Sequence, residues 1–458
     1  MTGAAATLGT FVHDMRFTDL PADVVAKTKR HILDTFGATL AGALAFEARQ
    51  TRALLDSAGG APVWGTGLRL GPRDAALANG VADHALELDD TGGCDHSGAV
   101  VLPAALAALS VTDRAVSGRE FVTAIALGYD VARRVLEACG GYAAHNGAGW
   151  HSTATCGVFG AAATAARLMG LDATATTAAL GHAASFSGGL WGFIHDAAQT
   201  KRLHAGRAAE GGLLAALLAG RGVTGPGQVF GDVWGGFLKT FAPATAEPEA
   251  LTAGLGSPWK IMRCSIKPYA SCRGTHSSVD AVSALIRDRA AGAPDVVAVR
   301  VRLSAFLMNM CGGRDLDSLA SAQMSLPYAI TARLVHGGAG IDAYRADRRQ
   351  DPRVDPMMAG VTLEVDVAQA DLDEPAVTLR FADGASATLR VPVVLGAPAN
   401  PISDADLHGK YLALASLAMP VQRAQMLADA VLALDDLADA RTLLPHLAGE
   451  AEHGQILC

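Results

Sequence analysis

The run VVAVRVRLSAF, residues 296–306, decides the fold. Apolar and polar side chains alternate along it, the two-residue period of a strand with one buried face. VTLEVDV at 361–367 repeats the pattern, and VTLRFADGASATLRVPV at 377–393 reads as a hairpin turning near Asp383-Gly384. With helices expected over 276–290 and 320–335, these strands define an α+β unit from 265 to 402. The chain before it follows the other period. Val24, Val25, Thr28, Ile32, Leu33, Phe36 and Leu40 recur at helical spacing, with Asp19 as the expected N-cap before Pro21. Further helices are expected over 5–16, 73–86, 103–115, 118–138, 173–187 and from the 199–207 segment to Gly220. Pro103 suits a first helical turn, and Ser152 or Thr153 is available to cap the helix that His151 enters. Beyond the strands, Ser403 caps a further helix, and the alanine-rich end of the chain returns to the first unit. The expectation is a mainly α protein with an α+β insertion: residues 1–264 and 403–458 helical, 265–402 a smaller lid.

Composition agrees with close helix packing. Half of the 458 residues are hydrophobic but only 5% are aromatic, so small side chains must make the contacts. GATLAG at 37–42 puts small residues on adjacent turns. No apolar run reaches the roughly 20 residues of a membrane helix, and the N-terminus lacks a signal-peptide pattern. A net charge of −8 argues against a nucleic-acid partner. Seven scattered cysteines with no CxxC pair fit a reducing cytoplasm and give neither zinc nor iron–sulfur spacing, so no metal is expected.

One polar stretch interrupts the apolar helices. In ELDDTGGCDHSGAVVLP, residues 87–103, four acidic side chains, Thr91, Cys94 and His96 fall within ten residues. An unpaired buried carboxylate is costly, so the cluster is either well paired or faces a cavity. Gly92, Gly93 and Gly98 allow unusual backbone angles and close approach. Asp89 and Asp90 are read as caps or anchors of the loop, Asp89 above all. The basic run Gln199–Arg207 opens a helix where cations oppose the macrodipole, and that points to an anion or a surface origin. Tyr129, Asp130, Arg133 and Arg134 could pair one turn apart, and are read first as a solvated or interface face. His145 and His182 are read as structural, His204 as a neighbour of the site, and Trp191 and Phe193 as core or gate residues.

Five ordered blocks carry a resemblance: ELDDT…HSGAVVLPAALA, GWHSTATCGVFGAAATAARLMGLD, TKRLHAGRAAEGGLLAALLA, KPYASCRGTH and QMSLPYAI. Together they resemble the MmgE/PrpD family, which includes 2-methylcitrate dehydratase, cis-aconitate decarboxylase and iminodisuccinate epimerase. The resemblance spans nearly the whole chain. It implies a helical domain built from both chain ends, an α+β lid, a homodimer and a cofactor-free site between the domains. By motif it implies site roles for Thr91, His96, His151, Lys201, Lys267 and Tyr328. The decarboxylase-like pattern has aspartate where Glu87 stands and histidine where Cys272 stands, and its loop differs from the short, glycine-rich one between Thr91 and His96.

Family substrates are di- or tricarboxylates with an acidic C–H beside a carboxylate. Lys201, Lys267, Arg202 and Arg273 supply the cations such a ligand needs, and Glu87, Thr91, Cys272, Arg273 and His276 complete the expected binding set. Histidine works near neutral pH, so His96 and His151 are the expected proton carriers, with Tyr328 donating or orienting. The departures at Glu87 and Cys272 turn the expectation toward a hydro-lyase. An epimerase, a cis-aconitate-type decarboxylase and a silent family member that binds a carboxylate metabolite are the alternatives.

Overall fold

The computed structural model describes residues 3–196, 198–287 and 295–449. Helices dominate the described residues up to Gly220: α1 (Ala4–Asp14), α2 (Ala22–Gly42), α3 (Phe46–Ala53), α4 (Pro72–His84), α5 (Gly98–Leu109) and α6 (Gly118–Ala138), then α7 (Gly141–Gly147), α8 (Ser152–Thr155), α9 (Gly157–Leu168), α10 (Ala173–Ser185) and α11 (Thr200–Gly220). A short antiparallel ribbon, β1 (Ala61–Pro62) and β2 (Arg69–Leu70), lies between α3 and α4.

Small residues set how closely these helices approach. A Cβ added to Gly42 would lie 1.8 Å from the Ala82 carbonyl oxygen of α4, and one on Gly128 would lie 2.0 Å from Thr164 Oγ1. A Cβ on Gly212 would lie 2.4 Å from the Ala161 methyl. The GATLAG segment makes the close contacts expected of it: Gly37 faces Tyr411 and Gly42 faces α4. Tyr411 belongs to helix Asp404–Ala415, which Ser403 caps through the Asp406 N–H at 3.0 Å. Lys410 on that helix bonds Asp34 Oδ1 at 2.6 Å and the Leu88 carbonyl at 2.7 Å, so helix Asp404–Ala415 packs back on α2 and the segment after α4.

Four strands form one mixed sheet in the order β4-β3-β5-β6. β3 (Val296–Leu303) pairs parallel with β4 (Val361–Val365) and antiparallel with β5 (Ala376–Phe381), which pairs antiparallel with β6 (Ser386–Arg390). Val299, Val301, Leu303, Val377, Leu379 and Phe381 bury one face against Val282, Ile286 and Ile330. The expected alternation holds from Val299 to Leu303, after a shift in register between Val296 and Ala298. Ser304 then accepts the Leu307 N–H at 3.2 Å and starts helix Ala305–Cys311. The hairpin turns at Gly384, where φ is +85°. The chain is thus mainly α with a small mixed sheet.

Several local expectations are corrected. Asp19 does not cap α2: it ends a 3-10 turn and accepts the Arg16 N–H at 2.9 Å, leaving α2 without a side-chain cap. Pro103 lies inside α5, because Asp90 Oδ1 accepts the Gly98 N–H at 3.0 Å and starts the helix five residues earlier. That bond spans eight residues, beyond any local capping signal. Ser152 and Thr153 lie within α8, and His151 occupies the cap position without a side-chain cap bond. The helix expected over 320–335 is two, Leu319–Gln323 and Leu326–His336, the second capped by Ser325. Helix His276–Arg287 matches its expectation, whose last three residues fall outside the described residues. Tyr129, Asp130 and Arg134 are fully buried, with Arg134 Nε on Asp130 Oδ2 at 2.5 Å, so this face is interior.

Candidate active site

The loop from Ala85 to Ser97 leaves α4 and enters α5. Two of its non-glycine residues have positive φ, Glu87 at +53° and Asp95 at +110°. Such backbone is strained for a residue with a Cβ and persists where side-chain contacts over-determine it. Gly92 also has positive φ, at +93°. Gly93 and Gly98 serve close packing instead: added Cβ atoms would meet Ser97 Oγ at 2.1 Å and Thr35 Oγ1 at 2.4 Å. Thr91 pairs its backbone with Ser265 in both directions, at 3.0 and 2.7 Å, and so ties the loop to the start of the sheet-bearing segment.

Glu87 is fully buried among cations. Lys201 Nζ bonds its Oε1, Lys267 Nζ lies 3.3 Å from Oε2, and Arg202 Nη2 lies 3.9 Å away. Burial alone would raise the Glu87 pKa; these cations and His84 outweigh it and hold it well below the usual carboxylate range. Glu87 thus gives the buried lysine and arginine at the start of α11 an internal anion, while Lys201 also borders the cavity. Burial would lower Lys267, but Glu87 and Asp89 leave its pKa raised.

Asp89 is no simple loop anchor. Its Oδ2 lies 2.9 Å from His84 Nδ1 and 2.8 Å from His96 Nδ1. His96 Nδ1 is also 2.9 Å from the Asp90 carbonyl. A ring nitrogen between two acceptors carries the proton, so His96 Nδ1 donates and Nε2 is the titrating atom. Nε2 faces Asp95 Oδ2 at 3.5 Å. Burial would lower the His96 pKa, yet Asp89 and Asp95 leave it raised. Asp90 does anchor the loop, with His31 Nδ1 at 2.9 Å on its Oδ2 and the Gly98 N–H on its Oδ1.

His151 has the opposite setting. Its Nδ1 meets His204 Nδ1 at 2.9 Å, an arrangement that requires one ring to donate and the other to accept. Its Nε2 is buried without a hydrogen bond, 3.9 Å from Asp95 Oδ2. Burial, then His204 and Lys201, hold His151 well below the ordinary histidine value. His204 is lowered to about 4 by burial and Lys201. Asp95, bonded by Thr91 Oγ1 at 3.0 Å, thus stands between a histidine biased toward its charged form and one biased toward neutral.

These groups border a cavity of about 590 Å³. Glu87, Thr91, Asp95, His96, Lys201, Cys272 and Arg273 line it, whereas His151 and Lys267 stand directly behind the wall. Arg133 and Arg263 add positive charge, and Trp191, Leu307 and Met310 supply an apolar side. Cys272 reaches the cavity, with its thiol lowered to about 7 by hydrogen bonding to Cys311 against the effect of burial. Arg273 is paired with Glu374 at 2.6 Å. Cys94 stays out of the wall, its thiol pushed up to about 12 by burial.

Two expected residues stand apart from the cavity. The Tyr328 hydroxyl donates to the Ala343 carbonyl at 2.5 Å within an apolar cluster. His276 Nε2 meets the Ser271 carbonyl at 3.2 Å beside the Tyr269 ring. Sequence reasoning missed His84 and gave Asp95 no separate role. His84 sits one helical turn before Glu87, and Asp95 adjoins His96; those positions were their only signals. It also passed over a candidate metal set, because ring nitrogens of His84, His96 and His151 lie within 4.8 Å of one another although the residues are far apart in sequence. Lys201 and Lys267 already supply positive charge beside that set.

Family models match both parts of the chain. The MmgE/PrpD N-terminal domain covers residues 6–249 and the MmgE/PrpD C-terminal domain residues 269–436. The chain belongs to the MmgE/PrpD family. Among its relatives is the cis-aconitate decarboxylase-like protein oryM of Aspergillus oryzae, 30% identical with 97% of each chain covered. The cis-aconitate decarboxylase of Aspergillus terreus is 31% identical, covering 97% of this chain and 95% of its own. The Homo sapiens cis-aconitate decarboxylase is 29% identical, covering 97% and 94%. MmgE/PrpD membership and these enzyme relatives make this chain an enzyme of the family's carboxylate chemistry. Among the described residues, no helix is long and apolar enough to cross a membrane.

Proposed function

We propose that this protein is a lyase that releases CO2 from a small unsaturated tricarboxylate of the cis-aconitate type. The observation that supports this reading best is the His96 setting. Its Nδ1 is held by Asp89 and the Asp90 carbonyl, and its Nε2 is turned toward Asp95 at the cavity wall. A carboxymethyl group beside a C=C bond can lose CO2 when the C–C electron pair moves into an allylic anion. The double bond shifts, and the far carbon needs one proton. His96 Nε2–H is the donor, Asp95 stabilises its charged form, and solvent returns the proton afterwards. Lys201 and Arg273 hold the remaining carboxylates, and Thr91 orients Asp95. The sheet-bearing segment 265–402 acts as the lid that brings Cys272 and Arg273 to the substrate.

The hydro-lyase favoured by sequence has its own support. The neutral His151 with an unpartnered Nε2 could remove a proton next to a carboxylate. The relatives favour decarboxylation, and they shift the balance.

One experiment separates the two. Citrate, 2-methylcitrate, cis-aconitate and iminodisuccinate are incubated in D2O and followed by proton NMR. Decarboxylation gives a product one carbon shorter, with one deuterium at the former alkene carbon and released CO2. His96→Gln should then lose on the order of 10²–10⁴-fold in kcat, and His151→Gln distinctly less. Equal losses with a new alkene and no lost carbon would move the assignment to the hydro-lyase.

A further inference from the structure

Outside the cavity wall, three buried side chains converge where α6, α7 and the α8–α9 junction meet. Cys139 follows α6, His145 lies in α7, and Cys156 sits between α8 and α9. Two thiol sulfurs and one imidazole nitrogen lie within 4.8 Å of one another, and none of the three residues is more than 1% exposed. None lines the cavity.

The imidazole is set for a ligand. His145 Nε2 lies 2.7 Å from Thr155 Oγ1. The Thr155 hydroxyl donates to the His151 carbonyl at 3.3 Å, so its lone pairs are free to accept the Nε2–H. That tautomer leaves the lone pair on Nδ1, which is buried without a partner. One ring nitrogen tied to a fixed neighbour and the other free is the usual setting of a metal-bound histidine. Two sulfurs and one nitrogen select a thiophilic ion over a hard one.

We propose that Cys139, His145 and Cys156 bind one thiophilic d10 cation, Zn2+ or Cu+. Binding displaces both thiol protons and forms two metal–thiolate bonds and one metal–imidazole bond, with no change of oxidation state. Scattered positions 139, 145 and 156 give no recognisable ligand spacing, so the set emerges only on folding. Through Thr155 the ion would brace the backbone of His151.

The test uses the full-length, reduced, chelator-treated protein. It is titrated with Zn2+ and, separately, with Cu+ against competing chelators, and with Co2+ as a spectroscopic probe. We expect one equivalent of Zn2+ or Cu+ and a thiolate-to-cobalt charge-transfer band. The band should vanish in Cys139→Ser and Cys156→Ser and persist in His84→Ala. Uptake by only one of the two metals identifies the ion. A cobalt complex without thiolate absorption, binding that survives both serine variants, or a Cys139–Cys156 disulfide whose reduction restores no metal uptake would each overturn the proposal. The wild-type titration decides even where a variant fails to fold.

Discussion

Two stretches only a few residues apart are held by different forces. Where α2 meets α4, Gly42 approaches the Ala82 carbonyl so closely that no side chain fits between them. A few residues further on, Glu87, Asp89, Lys201, Lys267, His84 and His96 form a buried cluster of ionisable groups. The helical wall gains its stability from dispersion and apolar burial. The charged loop gains little net stability that way, because desolvation offsets much of the attraction between buried charges. What the loop gains is a set of shifted pKa values and a fixed cation array, held on a wall that does not yield. Breaking each region should therefore leave a different signature.

The largest expected effect comes from removing one charge from the buried cluster around the loop. Lys201→Met strands Glu87 with Lys267 at 3.3 Å as its nearest remaining cation. Breaking a buried pair on one side costs about 3–5 kcal/mol. Urea denaturation should show that loss, and Glu87→Gln added to Lys201→Met should recover part of it. A loss below about 1 kcal/mol would mean that the pair behaves like a surface ion pair and that the contrast is false.

Next in size is an effect on activity. Asp89 accepts from both His84 and His96 and acts on the reaction through His96. Asp89→Asn keeps the shape and removes the charge. We expect kcat to fall on the order of 10²-fold, about 2.7 kcal/mol. The sign of the pH effect follows from the shifts. His96 is raised in the folded protein, so its charged form adds stability below its ordinary value, and that stability is lost as pH rises through the folded value. Asp89 is depressed: burial raises it, but His84, His96 and Lys267 prevail, and its contribution is lost only as pH falls through the lowered value. Without Asp89 the upper limb of the kcat–pH profile should move to lower pH. An unchanged limb with reduced kcat would assign Asp89 a purely structural role.

How far each region could be read from sequence follows the same division. Helices α2 and α6 and the β5–β6 hairpin rest on periodic patterns and nearby turn signals, so residues 24–40, 118–138 and 377–393 were legible. Glu87, His96 and Lys201 were found as motif members. Their pairing was not legible, because Lys201 and Glu87 are 114 positions apart and meet only when α11 packs on α4. Pro103 misled for the same reason, as the start of its helix is set by Asp90, which lies outside the capping window. Helical spacing offered the pairing of Asp130 with Arg134 one turn on, but not its place in the interior, because a charged face looks solvated in sequence.

The smallest effects test the wall, through two glycines in helices. Gly42→Ala places a methyl against the Ala82 carbonyl, with 1.8 Å between the atoms before relaxation. Backbone cannot rotate aside, so α2 and α4 must separate, at a cost of about 1–3 kcal/mol. Gly409 lies in helix Asp404–Ala415 with no atom within 4 Å of an added Cβ. There Gly409→Ala removes only chain entropy from the unfolded state and should stabilise by about 0.4–1 kcal/mol. Opposite signs from one chemical change, read as shifts in urea midpoint at constant slope, would show that close approach is the reason for glycine in the wall. Equal signs would mean that the helices have room to adjust, and that the rigidity assigned to the wall beneath the charged loop does not exist.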